Sequence, residues 1–216
     1  MPMGTVAAFG DPPPVTAIKQ AVEALVAGDI VGVPTDTVYG LAADPFHTGA
    51  SDRLFAIKRR PRSVELPVLV ANEEQALTLT IAVPAAARRL MAKYWPGALT
   101  LVLPRRPDLN ADLGDDDATV GLRCPAHPVP LALCEAVGPL ATTSANRHGE
   151  PPATTALELA SAISAGVGLV LDAGVCDGAA STVVECTGEE ARLLRPGRLP
   201  WPELAATAAG QAPSRP

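Results

Sequence analysis

Ile30-Val31-Gly32-Val33-Pro34-Thr35-Asp36-Thr37-Val38-Tyr39-Gly40-Leu41 is the stretch on which the reading of this chain turns. Ile30–Val33 is apolar and rich in β-branched residues, so it predicts a short buried strand, and Pro34 ends it. The residues after it place hydroxyls at the mouth of that strand. On its N-terminal side, Val15 to Gly28 predicts an amphipathic helix. Ile18, Val22, Leu25 and Val26 share one face, and Gly28 suits the C-terminal cap. On the other side, Ala50–Arg59 predicts a second helix with Ser51 as its N-cap.

Further along, strands are expected at Leu66–Val70, Leu99–Leu103, Thr119–Arg123, Leu140–Thr143, Leu169–Leu171, Ser181–Cys186 and Ala191–Arg195. Helices are expected from Asn72 (as cap) to Leu79, and over Pro84–Tyr94, Pro128–Val137 and Thr154–Ala165. Residues 104–118 form a polar, acidic loop. Helices and strands alternate irregularly, and the late strands follow one another without a helix. That order predicts a single α/β domain whose twisted, mixed parallel and antiparallel sheet is wrapped by helices. The expected organisation is a flexible segment at 1–14, a catalytic domain at 15–200, and a short C-terminal helix or tail at 201–216. Within the last part, Ala205–Pro216 reads as weakly structured.

Apolar residues make up 48% of the 216-residue chain against 19% charged, enough to bury a sizeable core. No apolar run approaches the ~20 residues of a membrane span, and no export signal opens the chain, so a cytoplasmic protein is expected. Cys124, Cys134, Cys176 and Cys186 form no C-x-x-C pair and are expected to be reduced and structural. A net charge of −6 argues against coating nucleic acid with a broad basic surface, though a local basic cleft stays open.

The common signatures of phosphate-binding loops, dinucleotide folds, zinc peptidases and serine hydrolases are absent. Two constellations remain. Lys58, Arg59, Arg60 and Arg62 fit a solvated helix C-terminus, where cations complement the dipole. They fit phosphate binding too, because arginine offers a fork of donors and lysine a compact charge. Thr142-Thr143-Ser144-Ala145-Asn146 fits turn and capping chemistry, or a ligand site at a strand end. Arg123 ends a predicted strand, where it could meet a carboxylate or make a surface ion pair. His47, His127 and His148 stand alone, without a paired acid at a telling spacing.

Taken in order, these segments resemble the YrdC/Sua-type threonylcarbamoyl-AMP synthase family. The resemblance rests on Pro34–Leu41, Lys58-Arg59-Arg60-Pro61, Trp95-Pro96-Gly97 with Leu99-Thr100, and Val120–Arg123. Ser144-Ala145-Asn146, Ser181–Val184 and Arg195-Pro196-Gly197 complete it. It implies a YrdC-like fold in the short, single-domain form. The implied reaction makes threonylcarbamoyl-AMP and pyrophosphate from L-threonine, bicarbonate and ATP with Mg2+. Other proteins then pass the threonylcarbamoyl group to adenosine 37 of tRNAs that read codons starting with A. The resemblance further implies Lys58 and Arg60 as catalytic cations. ATP would be held by Lys58, Arg60, Arg62, Ser144, Asn146 and Arg195, and threonine by Thr35, Arg123 and Ser181. No protein side chain is implied as a metal ligand. Where many relatives carry Asn-Pro-Leu, this chain has Leu66-Pro67-Val68. A double-stranded RNA-binding module, and a non-synthase paralogue acting on carbamoyl-phosphate chemistry, are the rival readings.

Overall fold

The computed structural model describes residues 3–146, 150–163 and 165–211. Among them the strands are β1 (Gly4–Ala7), β2 (Ile30–Val33), β3 (Gly40–Ala43), β4 (Val68–Leu69), β5 (Leu99–Pro104), β6 (Thr119–Arg123), β7 (Leu140–Ser144), β8 (Val167–Asp172), β9 (Thr182–Glu185) and β10 (Arg192–Arg195). The helices are α1 (Val15–Val26), α2 (Ala50–Lys58), α3 (Glu73–Leu77), α4 (Ala85–Tyr94), α5 (Pro128–Val137), α6 (Ala156–Ala162) and α7 (Trp201–Ala208). All ten strands join one sheet in the order β1-β8-β2-β3-β7-β4-β6-β5-β9-β10. Parallel and antiparallel pairs are interspersed, as the irregular alternation of elements in the sequence predicts.

Strand alternation sends side chains to two faces, and the faces are covered differently. One face packs Ile30, Leu41, Val68, Leu101 and Leu122 against Leu54 and Phe55 of α2, Leu90 and Met91 of α4, Leu159 of α6 and Leu204 of α7. On the opposite face Val31, Val33, Ala42, Leu69 and Leu171 pack against Ala17, Ala21 and Leu25 of α1 and Val129 and Leu133 of α5. Helices α1 and α5 cover only part of that second face, over residues of β8, β2, β3, β7 and β4. The remainder, where Thr100, Val102, Gly121, Arg123 and Val183 point outward from the core, is an open cleft.

Several expectations need correction. Residues 4–7 are not a flexible lead: β1 pairs in parallel with β8, Gly4 opposite Leu169 and Ala7 opposite Asp172. Its backbone groups satisfy the edge of β8, a contact that no side-chain pattern announces. The sequence reading assigns no strand to Gly40–Ala43, whose small residues lack strand character, yet β3 pairs with both β2 and β7. Only Val68–Leu69 of the expected 66–70 strand is regular, because Leu66 N turns to Leu113 O and Pro67 has no N–H to give. Gly49, not Ser51, caps α2; the Ser51 hydroxyl donates to Asp112 O at 2.6 Å. Helix α7 includes 205–208, with Leu204 and Ala208 buried; residues 212–216 of the expected tail lie outside the described residues. The four cysteines are buried and unpaired.

Candidate active site

The loop leaving β2 is built from its own hydroxyls. Thr35 Oγ1 accepts from Thr37 N (3.1 Å) and Val38 N (3.2 Å) and donates to Val38 O (2.7 Å). With that hydrogen committed, the 2.9 Å contact between the two threonine hydroxyls is donated by Thr37. Thr37 Oγ1 in turn accepts from Arg123 Nη1 at 2.9 Å. A directed chain of hydrogen bonds therefore runs from Arg123 through Thr37 and Thr35 to the loop carbonyl.

Arg123 closes β6, and three acceptors surround it. Beyond Thr37, Nε donates to Gly97 O (3.0 Å) and Nη2 to Asp36 Oδ1 (2.6 Å). Both side chains of that ion pair are buried, 9% and 13% exposed. Arg195, at the end of β10, donates from Nη2 to Ser181 O (2.9 Å) and Ser181 Oγ (3.1 Å). Ser181 Oγ also lies 2.9 Å from Thr100 Oγ1 of β5. Gly197 makes this approach possible: a Cβ there would lie 2.4 Å from Ser181 C and 2.5 Å from Ala180 O.

Lys58 and Arg60 come from the end of α2. Lys58 is 4% exposed. Its ammonium donates to Ser144 O (2.6 Å), to Asn146 Oδ1 (2.6 Å) and to Asn146 O. Ser144 Oγ donates to the same Asn146 Oδ1 at 2.7 Å, so the end of β7 is gathered around the lysine. Arg60 donates from Nε to Val64 O (2.7 Å) and from Nη2 to Glu65 O (2.6 Å), and Nη1 lies 3.4 Å from Thr143 Oγ1.

Arg60, Arg123 and Arg195 line one cavity of about 450 Å³ with Thr35, Thr143, Ser144 and Ser181, and Val33, Leu69, Val102 and Val183 supply apolar wall. Burial lowers the pKa of all three guanidinium groups; the charge of Arg195 lowers Arg60 and Arg123 further, while Asp36 opposes the shift of Arg123. Burial, then the charge of Arg60, lowers Lys58 to about 8. Among the described residues lining the cavity, Glu65 is the one carboxylic acid, and burial followed by hydrogen bonding to Asp116 raises it to about 7. Cations thus crowd one another in a partly desolvated space, an arrangement that an anionic ligand relieves.

The residues that the sequence singles out do not all arrive here. Lys58 and Asn146 adjoin the lining through Ser144, whereas Arg62 is engaged elsewhere. It pairs with Asp52 (2.6 Å), Asp112 (2.5 Å) and Asp115 (3.4 Å), and its guanidinium sits 4.8 Å from the Phe55 ring centroid. Three carboxylates make it a pin between α2 and the 104–118 loop, and it is not among the residues that line the cavity. The Thr35 hydroxyl is hydrogen-bonded within its own loop, and the residue lines the cavity. Asp36 and Thr100 went unassigned in the sequence. A threonine among the leucines of Leu99-Thr100-Leu101 was the available signal. His127 accepts from Val129 N at 3.2 Å and caps α5, and His148 lies outside the described residues.

Residues 23–197 match the family model for Sua5, YciO and YrdC proteins, described as telomere recombination. A relative from Mycobacterium tuberculosis is 44% identical over 181 residues, 83% of each chain. The threonylcarbamoyl-AMP synthase of Bacillus subtilis is 39% identical over 183 residues, and the match spans 53% of its length. The crystal structure of Pyrococcus abyssi Sua5 complexed with L-threonine superposes with a TM-score of 0.85 at 33% identity, covering 98% of this chain and 62% of that one. Escherichia coli YciO gives 0.80 at 25% identity, covering 90% and 95%. The chain therefore spans about three-fifths of the Sua5 structure and nearly all of YciO. With the model match running from α1 to the turn after Arg195, the chain belongs to the Sua5/YciO/YrdC family.

Proposed function

We propose that this protein is a threonylcarbamoyl-AMP synthase, joining L-threonine, bicarbonate and ATP into threonylcarbamoyl-AMP with release of pyrophosphate and water. One observation carries the reading: Arg60, Arg123 and Arg195 and a set of hydroxyls converge on a single cavity of ligand size, in a chain whose relatives bear that name. The threonine amine takes up the carbon of bicarbonate as water leaves, giving a carbamate. A carbamate oxygen then attacks the α-phosphorus, and the bond to pyrophosphate breaks. Negative charge grows on phosphate oxygens along that path, and fixed cations stabilise it without reorganising.

Within this scheme Arg60 and Arg195 face the triphosphate, and Arg123 takes the threonine carboxylate beside Ser181. Lys58 already spends its three donors on Ser144 and Asn146, so it orders that loop and reaches phosphate only by exchanging one of those bonds. Mg2+ would come in with the substrate, on the oxygens of the nucleotide phosphates. Serine differs from threonine by one methyl group, which an apolar niche discriminates by about 1–3 kcal/mol. The product would pass, in the cytoplasm, to threonylcarbamoyl-transfer proteins acting on tRNA. Among the described residues no helix is long and apolar enough to cross a membrane. Pyrophosphate release from ATP tests the reading: it should require both threonine and bicarbonate, and release indifferent to threonine would refute it.

A further inference from the structure

We infer that Asp36 and Thr37 are positioning residues for Arg123, together fixing its guanidinium so that its unspent N–H groups meet a substrate carboxylate. This rests on the synthase reading above and extends it to residues that need not touch the substrate.

A guanidinium has five N–H donors. Gly97 O takes Nε, Thr37 Oγ1 takes one hydrogen of Nη1 and Asp36 Oδ1 takes one of Nη2. Two donors remain, one on each terminal nitrogen, and the arginine lines the cavity. Acceptors on all three nitrogens leave the planar group no free rotation, so the direction of the remaining pair is set before any ligand arrives. Fixed orientation is what converts a buried cation into a carboxylate receptor.

The loop carrying the two acceptors is itself held from outside. Asp36 O accepts from Arg198 Nη1 at 3.0 Å, and Thr37 O accepts from Gly178 N at 2.7 Å. Arg198 N is bonded in turn to Ala180 O at 2.8 Å. Ala180 and Ser181 belong to the same cavity wall, so the orientation of Arg123 and the place of Ser181 are set by one connected backbone.

The test compares the native protein with Asp36→Ala, Asp36→Asn and Thr37→Val by calorimetric titration of L-threonine and by steady-state pyrophosphate release. Asp36→Ala should weaken threonine binding and raise its KM by about tenfold or more, with the KM for ATP within about twofold. Asp36→Asn keeps an oxygen acceptor and should recover most of that loss. Thr37→Val, close in shape, should weaken threonine a few-fold and serves alone if Asp36→Ala does not fold. Equal changes in both KM values, unchanged threonine affinity in Thr37→Val, or Asp36→Asn as impaired as Asp36→Ala would overturn the inference. A native protein that binds threonine without releasing pyrophosphate sinks the synthase reading alone. One that binds no threonine sinks both.

Discussion

Lys58 and Arg60 both bond to β7, at Ser144 and Thr143, although one residue separates them in the chain. On a continuing helix, residues two apart point about 200° away from each other. Arg59 resolves the conflict by adopting the left-handed conformation, φ 49° and ψ 38°, as α2 ends. The turn it makes brings Arg60 back to the side that Lys58 already faces.

That geometry predicts opposite outcomes for two substitutions of the exposed Arg59. Arg59→Gly removes the left-handed penalty and should hold or raise stability, by up to about 1 kcal/mol. Arg59→Val places a β-branched residue at positive φ and should cost about 1–2 kcal/mol, with a lower synthase rate. Urea unfolding of both variants decides it; equal stabilities would refute the account.

ATP affinity should fall as pH rises through about 8. Lys58 carries its proton in the folded state only below about 8, against 10.5 as its ordinary value. Neutral amine has two hydrogens and cannot serve three acceptors, so the Ser144–Asn146 loop loosens. Binding without threonine should weaken by up to about tenfold per pH unit above that point, and Lys58→Arg should flatten the profile. The unfolded chain keeps this proton longer, so the same residue makes stability rise between about pH 8 and 10.5. A flat profile for the native protein would contradict this role of Lys58.

Glu65 acts on stability with the reverse sign. Its carboxyl titrates near 7 in the fold against 4.5 ordinarily, so between those values the folded state holds a proton that the unfolded state has lost. The stabilising contribution is complete below about pH 4.5 and is lost as pH rises through about 7. Glu65→Gln cannot titrate. Measured by denaturation at pH 5 and pH 8, its stability relative to the native protein should improve at the higher pH. Parallel behaviour at both values would refute the assignment.

Gly197→Ala tests how tightly the Arg195 turn is packed on Ser181. The new Cβ would collide with backbone that has little room to move, 2.4 Å from Ser181 C. We expect a loss of about 1–3 kcal/mol with weaker substrate binding. Gly188, with nothing within 4 Å of an added Cβ, supplies the control, and its alanine variant should stay within about 0.5 kcal/mol. Equal effects at the two sites would contradict the close approach.

Local patterns in the sequence reached the elements that state their own limits. Pro128–Val137 opens on a proline and closes before Gly138, and Thr119–Arg123 alternates cleanly, so both have the bounds that the sequence predicts. Strands β1 and β3 carry no such pattern; they exist because β8, β2 and β7 offer them backbone partners. The site followed the same division. Arg60, Arg123, Ser181 and Arg195 stand out singly, but only the sheet order brings them to one cavity. Arg62 looked like its neighbours in the basic run, and nothing local shows that Asp112, fifty residues on, would engage it.

Mass spectrometry of the product formed from L-threonine, ATP and 13C-bicarbonate tests the central claim most directly. The account predicts an adenylate one mass unit heavier with labelled bicarbonate, formed only when threonine is present, and about a hundredfold less of it from Arg60→Ala. AMP and pyrophosphate formed without threonine, or an adenylate that carries no label, would contradict it.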